Sequence, residues 1–148
     1  MKNIGAERQL SEYNHVYKEN TAIYRDLSIR MGLTESTFWI LYTLRVEESP
    51  VTQSDMCAIL GYPKQTVNSA VTAFYKRGWI RMQELPEDRR NKTIHFTEQG
   101  RHEAACILQK VQESERAAMD RLSREEQDLL LSLTRRYVDA CKNTMKGL

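Results

Sequence analysis

Apolar residues recur at helical spacing through the first part of the chain, from about Glu7 to Met31. Their steps of three and four residues match the period of an amphipathic helix. The stripe consists of Leu10, Tyr13, Tyr17, Tyr24, Leu27 and Met31. Val16 and Ile23 widen this apolar face beyond what a lone surface helix needs, and Gly32 ends the predicted helix.

A second predicted helix is apolar on nearly every side. Its body, FWILYTL, follows Thr34, which can cap a helix, and Ser49 and Pro50 stop it. A helix that is apolar all round is buried, so we place this one in the core.

Two shorter helices follow, and a tight turn separates them. Thr52 and Asp55 form a capping-box-like start for the first helix, and Gly61 closes it. Its residues expected to face inward are Met56, Ile59 and Leu60. Pro63 opens the second helix, where its missing N–H has no cost, and Gly78 ends it.

The helix after Pro63 has two unlike faces. Val67, Val71 and Phe74 fall at i, i+4 and i+7, which predicts the face toward the core. The opposite face is polar and short-chained, and it consists of Lys64, Gln65, Thr66, Asn68, Ser69 and Thr72. Such hydroxyl and amide groups match the donors and acceptors that base edges present in the DNA major groove.

Two extended segments, 79–85 and 92–96, predict a β-hairpin because apolar residues alternate along them. Their inward positions are Ile80, Met82, Ile94 and Phe96. Residues 86–91 form a basic tip with no apolar residue to anchor it.

Two long helices are predicted to complete the chain. Thr97 caps the first, at about residues 100–122, and a capping box of Ser123 and Glu126 starts the second. The apolar face of the second consists of Leu130, Leu133, Tyr137, Cys141 and Met145. The first and the last two helices have more apolar surface than one small domain buries, which predicts a second copy of the chain as partner.

The order of these elements defines the predicted fold. A short helix, a tight turn, a polar-faced helix and a hairpin with a basic tip are typical of a winged helix-turn-helix. We predict a mainly α fold with a small β-hairpin wing, in which residues 34–99 form the winged helix-turn-helix DNA-binding domain. An N-terminal dimerisation helix at 1–33 and C-terminal dimerisation helices at 100–148 flank that domain.

Basic charge is concentrated at the centre of the chain. The net charge is only +2, but residues 63–92 hold seven basic and three acidic side chains, which leaves −2 for the remainder. A basic centre is expected of a surface that binds nucleic acid. It argues against the alternative of a winged-helix protein-interaction module that does not bind DNA.

The polar helix and the wing supply the predicted DNA-binding residues. We expect Gln65, Thr66, Asn68 and Ser69 to read bases, Lys64, Lys76 and Arg77 to contact phosphates, and Thr72 to complete the set. Arg89 and Arg90 at the tip suit phosphates or the narrow minor groove.

Three segments, GLTESTFWIL, SDMCAILGYPKQTVNSAVTAFYKRGWI and DRRNKTIHFTEQG, resemble the MarR family of transcriptional regulators. The last is similar to the wing pattern D-x-R of that family. Thr37 stands where the family often has Gln, and Phe96 replaces a usual Leu but keeps an inward apolar residue. The resemblance implies a homodimeric, ligand-responsive repressor that binds a pseudo-palindromic operator in double-stranded DNA.

The resemblance also implies roles for the residues of the wing. In the family pattern, the Asp holds the shape of the wing and an Arg enters the minor groove, so Asp88 would orient the tip and Arg90 would insert. Arg89 and Lys92 would then contact the flanking phosphates. Asp88 and Arg90 stand two residues apart, so we expect their side chains on the same side of a strand.

Tyr13, Tyr17, Tyr24 and Trp39 are candidates for an effector pocket near the junction of the first two helices. Members of the family often bind small aromatic or phenolic anions between the dimer helices and the winged domain, so the resemblance implies such an effector. An aromatic stripe at helical spacing is also typical of a core or an interface. The sequence leaves both interpretations open.

Enzymatic, metal-binding and membrane functions find no support in the sequence. It has no GxSxG elbow, HExxH or glycine-rich phosphate loop, so we predict neither an enzyme nor a cofactor. His15, His95 and His102 show no ligand spacing with Cys, Asp or Glu. No apolar run approaches the roughly 18 residues of a membrane span, and MKNIGAERQLSEYN has no apolar signal segment, so we expect a cytoplasmic protein.

Cys57, Cys106 and Cys141 are too few and too widely spaced for a disulfide scaffold. They lie in helical stretches with apolar or small neighbours, and we interpret them as buried structural thiols. A thiol- or redox-responsive regulator of the same fold is the alternative.

Overall fold

The computed structural model describes residues 4–148. Residues 1–3, which belong to the predicted N-terminal dimerisation helix and to the segment tested for a signal sequence, lie outside the described residues. The described residues form α-helices and three short strands, which are connected by short turns. They are α1 (Ile4–Arg30), α2 (Glu35–Val46), β1 (Val51–Thr52), α3 (Gln53–Leu60), α4 (Lys64–Lys76), β2 (Ile80–Glu84), β3 (Lys92–Phe96), α5 (Glu98–Met119) and α6 (Arg124–Thr144). The predicted mainly α fold with a hairpin wing is confirmed.

The chain divides into two compact units. The first extends to Ile107 and holds the first four helices, all three strands and the first part of α5. The second begins at Leu108 and holds the rest of α5 and α6. The winged helix-turn-helix therefore lies within the first unit.

Side chains cap the starts of α2, α3, α5 and α6 as the sequence predicts. The Thr34 hydroxyl accepts a hydrogen bond from the backbone N–H three residues on, at 3.2 Å. At α3 the Asp55 N–H donates to Thr52 Oγ1 at 3.1 Å and the Thr52 N–H donates to Asp55 Oδ2 at 2.8 Å, which is a complete capping box. Ser123 and Glu126 form a second capping box at α6. Pro63 differs from the prediction, because it lies just before the first helical residue of α4 in an extended conformation.

The strands form one antiparallel sheet in the order β1-β3-β2. Ile94, on the central strand, pairs with Val51 on one side and with Met82 on the other. The pairing of Val51 was not predicted, since a two-residue strand has no alternating pattern to detect. It joins the segment before α3 to the wing.

The core of the first unit forms between α2, α3, α4 and the sheet. Its fully or nearly fully buried side chains include Phe38, Ile40, Leu41, Met56, Val67, Val71, Phe74, Ile80 and Ile94. The predicted inward face of α4 is confirmed. Two other expectations are wrong: Ile59 is 49% exposed, and α2 is not buried all round, since Trp39 and Tyr42 are only half-buried.

Hydrogen bonds connect the residues that follow α4 to the beginning of α5. The Thr97 hydroxyl donates to the Gly78 carbonyl at 2.6 Å and accepts from the Gly100 N–H at 3.0 Å. The Thr97 N–H also donates to the Trp79 carbonyl at 2.9 Å. We call this set of contacts between residues 78–79 and 97–100 the α4–α5 junction.

Candidate nucleic-acid interface

Helix α4 presents a polar face to solvent on the side opposite its buried residues Val67, Val71 and Phe74. Lys64, Gln65, Asn68, Ser69, Thr72 and Lys76 are exposed, and Thr66 is half-buried. With a rise of about 1.5 Å per residue, this face extends about 18 Å from Lys64 to Lys76. That length suits a helix lying in a major groove about 12 Å wide.

Arg77, which follows α4 directly, is held by an aromatic stack. Its guanidinium carbon lies 5.1 Å from the ring centroid of Trp79, within the range of a cation–π contact. The Trp79 ring in turn stacks on Phe74 with centroids 5.6 Å apart. The positive charge at this end of α4 therefore has an aromatic partner.

The wing tip is a turn that Asp88 organises. One carboxylate oxygen of Asp88 accepts from the Arg90 N–H at 3.0 Å, and the other accepts from the Asn91 side-chain amide at 2.8 Å. The Asn91 N–H donates to the Asp88 carbonyl at 3.2 Å. The expected alternation of Asp88 and Arg90 along a strand is therefore wrong, since both lie in an Asx-type turn.

Positive charge on the wing is partly compensated. Lys92 Nζ lies 3.9 Å from Glu84 Oε1, across the hairpin, and both side chains are about half exposed. Arg89 and Arg90 are exposed, and neither forms a salt bridge within the described part of the chain. The two arginines can therefore offer their full charge to a ligand.

An open groove of about 540 Å³ lies between α4 and the wing. It brings together four of the predicted residues, Lys64, Asn68, Arg90 and Lys92. The other predicted residues do not line it: Gln65, Thr66, Ser69, Thr72, Lys76, Arg77, Asp88 and Arg89. This groove joins the polar helix and the basic tip in one continuous surface.

The same groove includes residues that the sequence analysis missed. Gln53 and Ser54, in the first turn of α3, line it together with Asn91 of the wing. The N-terminus of a helix attracts anions, so the capping box at Thr52 was a signal that could have pointed to this position. Hydrogen bonds from the Thr52 backbone N–H and hydroxyl lower the pKa of Asp55, which keeps the capping carboxylate ionised.

The prediction that all three thiols are buried is wrong. Cys106 is exposed, whereas Cys57 and Cys141 are half-buried, and Cys57 lines the groove. His102 and Cys106 contact each other one turn apart on α5, with His102 Nδ1 3.9 Å from Cys106 Sγ.

The aromatic candidates lie at a second cavity, of about 310 Å³, at the junction of α1, α2 and α3. Tyr17, Tyr24 and Trp39 line it, but Tyr13 does not and instead stacks on Tyr17 with centroids 6.5 Å apart. The sequence analysis did not assign the other lining residues to an effector pocket, and these are Asn20, Thr21, Glu35, Ile59, Leu60 and Tyr62. Glu35 and Tyr62 were missed because only folding brings these segments together.

Neither a metal-binding cluster nor a membrane-spanning helix occurs among the described residues. They contain no group of three or more His, Cys, Asp or Glu side chains placed to hold a metal ion. None of the described helices is both long enough and apolar enough to cross a bilayer.

The chain is similar in sequence and in fold to known transcriptional regulators. A sequence model of the MarR family matches residues 31–91. The transcriptional repressor MprA of Escherichia coli K12 is 29% identical over 108 residues, which span 72% of this chain and 61% of MprA. The match thus covers less than two thirds of that relative.

Two solved structures have a similar fold. NMB1585, a MarR family regulator from Neisseria meningitidis, is 23% identical and superposes with a TM-score of 0.81, covering 94% of this chain and 97% of its own. A mutant MarR from Escherichia coli complexed with operator DNA is 16% identical, with a TM-score of 0.64 and coverages of 93% and 99%.

Proposed function

The chain belongs to the MarR family, and from this premise we propose that it is a DNA-binding transcriptional regulator. In this proposal it is a ligand-responsive repressor that acts in the cytoplasm. A homodimer binds a pseudo-palindromic operator, with α4 in the major groove and the wing tip at the minor groove of each half-site.

The observation that carries the proposal is the groove shared by α4 and the wing. The polar groups of a recognition helix can contact bases, and the positive charge of a hairpin can contact phosphates. Sequence-specific binding to duplex DNA uses both kinds of contact, so both must lie on one surface. Lys64, Asn68 and Arg90 meet in this groove, within the basic segment 63–92. A mutant MarR from E. coli that has a similar fold is complexed with operator DNA, which supports DNA as the partner of this surface.

Solvent-exposed apolar side chains on α1 and α6 support dimerisation. On α1 these include Leu10, Val16, Tyr17, Ile23 and Ile29, and on α6 they include Leu130, Leu131, Leu133, Tyr137 and Met145. Several are more than half exposed, and a symmetric partner chain would cover them. We therefore propose that 1–33 and 100–148 form the dimer interface and that 34–99 reads DNA.

Selection of bound sequences from a random DNA pool tests this function. A homodimer should recover a pseudo-palindrome whose half-sites lie about one helical turn, or roughly 10 bp, apart. The recovered site should then shift in a binding assay with the full chain. A protein that selects no sequence and binds no DNA at low salt would instead support the protein-interaction module.

The proposed division between base reading and phosphate contact leads to a prediction for α4. Asn68→Ala should relax the preference at one operator position by about 1–3 kcal/mol, because a bidentate amide contact to a base is lost. Lys64→Ala should weaken binding to all sequences alike and flatten the salt dependence. Binding titrations on the operator and on single-base variants, at several salt concentrations, check both. Unchanged sequence preference in Asn68→Ala would show that the base-reading face is assigned wrongly.

A thiol-responsive regulator is a second candidate, since Cys57 lines the proposed DNA groove. A bulky adduct on this side chain would compete with DNA for the groove. Treatment with a maleimide should then abolish operator binding by the wild type but not by Cys57→Ser. Equal loss in Cys57→Ser would assign the effect to another thiol, with exposed Cys106 as the first to test.

A further inference from the structure

An imidazole and a thiol lie side by side on the first half of α5. His102 Nδ1 is 3.9 Å and His102 Nε2 is 4.0 Å from Cys106 Sγ. Residues four apart stand one above the other on a helix, so the backbone of α5 holds the two side chains on one face. The two groups therefore form a pair of metal-ligand types that is already assembled in the fold.

The distance between the donor atoms suits one bridging metal ion. Taking zinc as the reference, a metal bonds to an imidazole nitrogen at about 2.0 Å and to a thiolate sulfur at about 2.3 Å. One ion between the two atoms therefore allows a separation of up to about 4.3 Å, and the observed 3.9 Å lies within this limit. Since both ring nitrogens are almost equally far from Sγ, a rotation of the imidazole about its Cβ–Cγ bond directs either one at the ion.

The start of α5 holds this pair on a rigid support. The Gly100 N–H donates to Thr97 Oγ1 at 3.0 Å, and the Arg101 side chain donates to the Phe96 carbonyl at 3.3 Å. These contacts anchor the turn of α5 that leads to His102. Metal binding therefore orders only two side chains, which keeps its cost in conformational entropy small.

The pair is open to solvent, since His102 and Cys106 are both exposed. Of the large apolar side chains described on α5, the exposed one is Met119, at the C-terminal end of the helix. The beginning of α5 thus differs from α1 and α6, whose exposed apolar faces support dimerisation. A metal ion can therefore reach the pair in the proposed homodimer.

The two donors indicate which metal fits. A thiolate is a soft ligand that selects Cu(I) or zinc, and imidazole suits copper and zinc alike. Structural zinc takes four ligands, whereas Cu(I) forms stable complexes with two. We propose that His102 and Cys106 bind one Cu(I) ion. The thiol proton passes to solvent as the copper–sulfur bond forms, and the copper remains monovalent, so the step needs no oxidant or reductant.

A competition titration tests the site, with Cu(I) as the probe. The ion is supplied as its acetonitrile complex in the absence of oxygen, and bathocuproine disulfonate competes for it. The full chain is used as the wild type and as Cys57→Ser/Cys141→Ser, in which Cys106 is the single thiol. We expect the double variant to hold one copper per chain, with one sulfur and one nitrogen neighbour in its X-ray absorption spectrum. One copper per two chains would place the metal between copies and overturn the proposal.

Substitution of each ligand tests whether the two side chains act together. In both backgrounds, His102→Ala should weaken Cu(I) binding at least about tenfold and remove the nitrogen neighbour. Cys106→Ser should abolish tight binding in the double variant. His15→Ala is the matched control, because this histidine is exposed on α1, and it should leave the Cu(I) affinity unchanged. If His102→Ala binds Cu(I) as tightly as its parent, the thiol acts alone and the proposal fails.

A parallel titration with Zn²⁺ against a zinc chelator tests the choice of metal. Zinc should bind at least about tenfold more weakly than Cu(I), since two protein donors supply only half of its usual ligands. Tighter binding of zinc would overturn the assignment to copper. The site goes beyond the proposed function and does not depend on it, so either result leaves DNA binding to be judged by the operator assays.

Discussion

Gly100 lies where the first turn of α5 meets the backbone of Trp79, and a methyl group added there would overlap the Trp79 carbonyl group. Backbone cannot move aside as a flexible side chain can, so Gly100→Ala should lower the free energy of unfolding by about 1–3 kcal/mol or more. Gly147→Ala is the matched control, since nothing lies within 4 Å of its added carbon. Chemical denaturation of both variants checks the prediction, and equal stability would contradict the close approach.

Asp88 and Arg90 belong to one turn but should act differently on DNA. Arg90→Ala should lower operator affinity at least about tenfold, or about 1.4 kcal/mol, with little change in melting temperature. Asp88→Ala should also weaken binding, because the turn loses the hydrogen bonds to the Arg90 N–H and Asn91 amide. Charge alone would predict the opposite, since removing a carboxylate favours DNA.

Operator titrations of both wing variants, with Lys110→Ala on α5 as control, distinguish these effects. Tighter binding by Asp88→Ala would contradict a positioning role for that carboxylate. Unchanged affinity in Arg90→Ala would contradict insertion of the wing.

At the scale of elements, the capping box at α3 couples stability to pH. Thr52→Ala should cost about 0.5–2 kcal/mol, the usual range for loss of an N-cap. The pKa of Asp55 is lower in the folded chain than the unfolded value of about 3.9, so its ionised form stabilises the fold above that pH. This contribution is lost as the pH falls through the folded pKa.

Denaturation of Asp55→Asn as a function of pH tests the coupling. The deficit in stability relative to wild type should be full at pH 7 and should shrink below about pH 4. Asp128→Asn, an exposed position on α6 outside the capping box, is the comparison variant. A deficit in Asp55→Asn that does not change with pH would show that the carboxylate contributes through its shape alone.

Elements governed by local signals could be predicted from the sequence. The inward face of α4 follows from the spacing of Val67, Val71 and Phe74, and each capping box follows from residues three apart. Features that depend on distant segments could not be predicted. Val51 pairs with Ile94, and Glu35 meets Tyr62 in one cavity, only because the fold brings their segments together. The turn at Asp88 was misread because strand alternation does not apply in a tip held by side-chain hydrogen bonds.

For the molecule as a whole, the apolar faces of α1 and α6 predict an obligate homodimer. Light scattering at micromolar concentration should give about twice the chain mass of 17.3 kDa. Leu133→Asp, which places a charge on the apolar face of α6, should shift the mass toward the monomer, whereas Ser132→Asp should not. A stable, folded wild-type monomer under these conditions would contradict the architecture.

The α4–α5 junction ties α4, the proposed recognition helix, to the beginning of α5. Thr97 donates hydrogen bonds to the carbonyls of Gly78 and Trp79, and the backbones of Gly100 and Trp79 are in close contact. These contacts join the C-terminal end of α4 to the first turn of α5. The 13 residues of α4 make an arm about 20 Å long. A tilt of roughly 10° at its base displaces the far end by about 3.4 Å, the rise of one base pair. In the proposed homodimer, a small change in this angle would therefore change the distance between the two α4 helices, from one that matches the half-sites to one that does not.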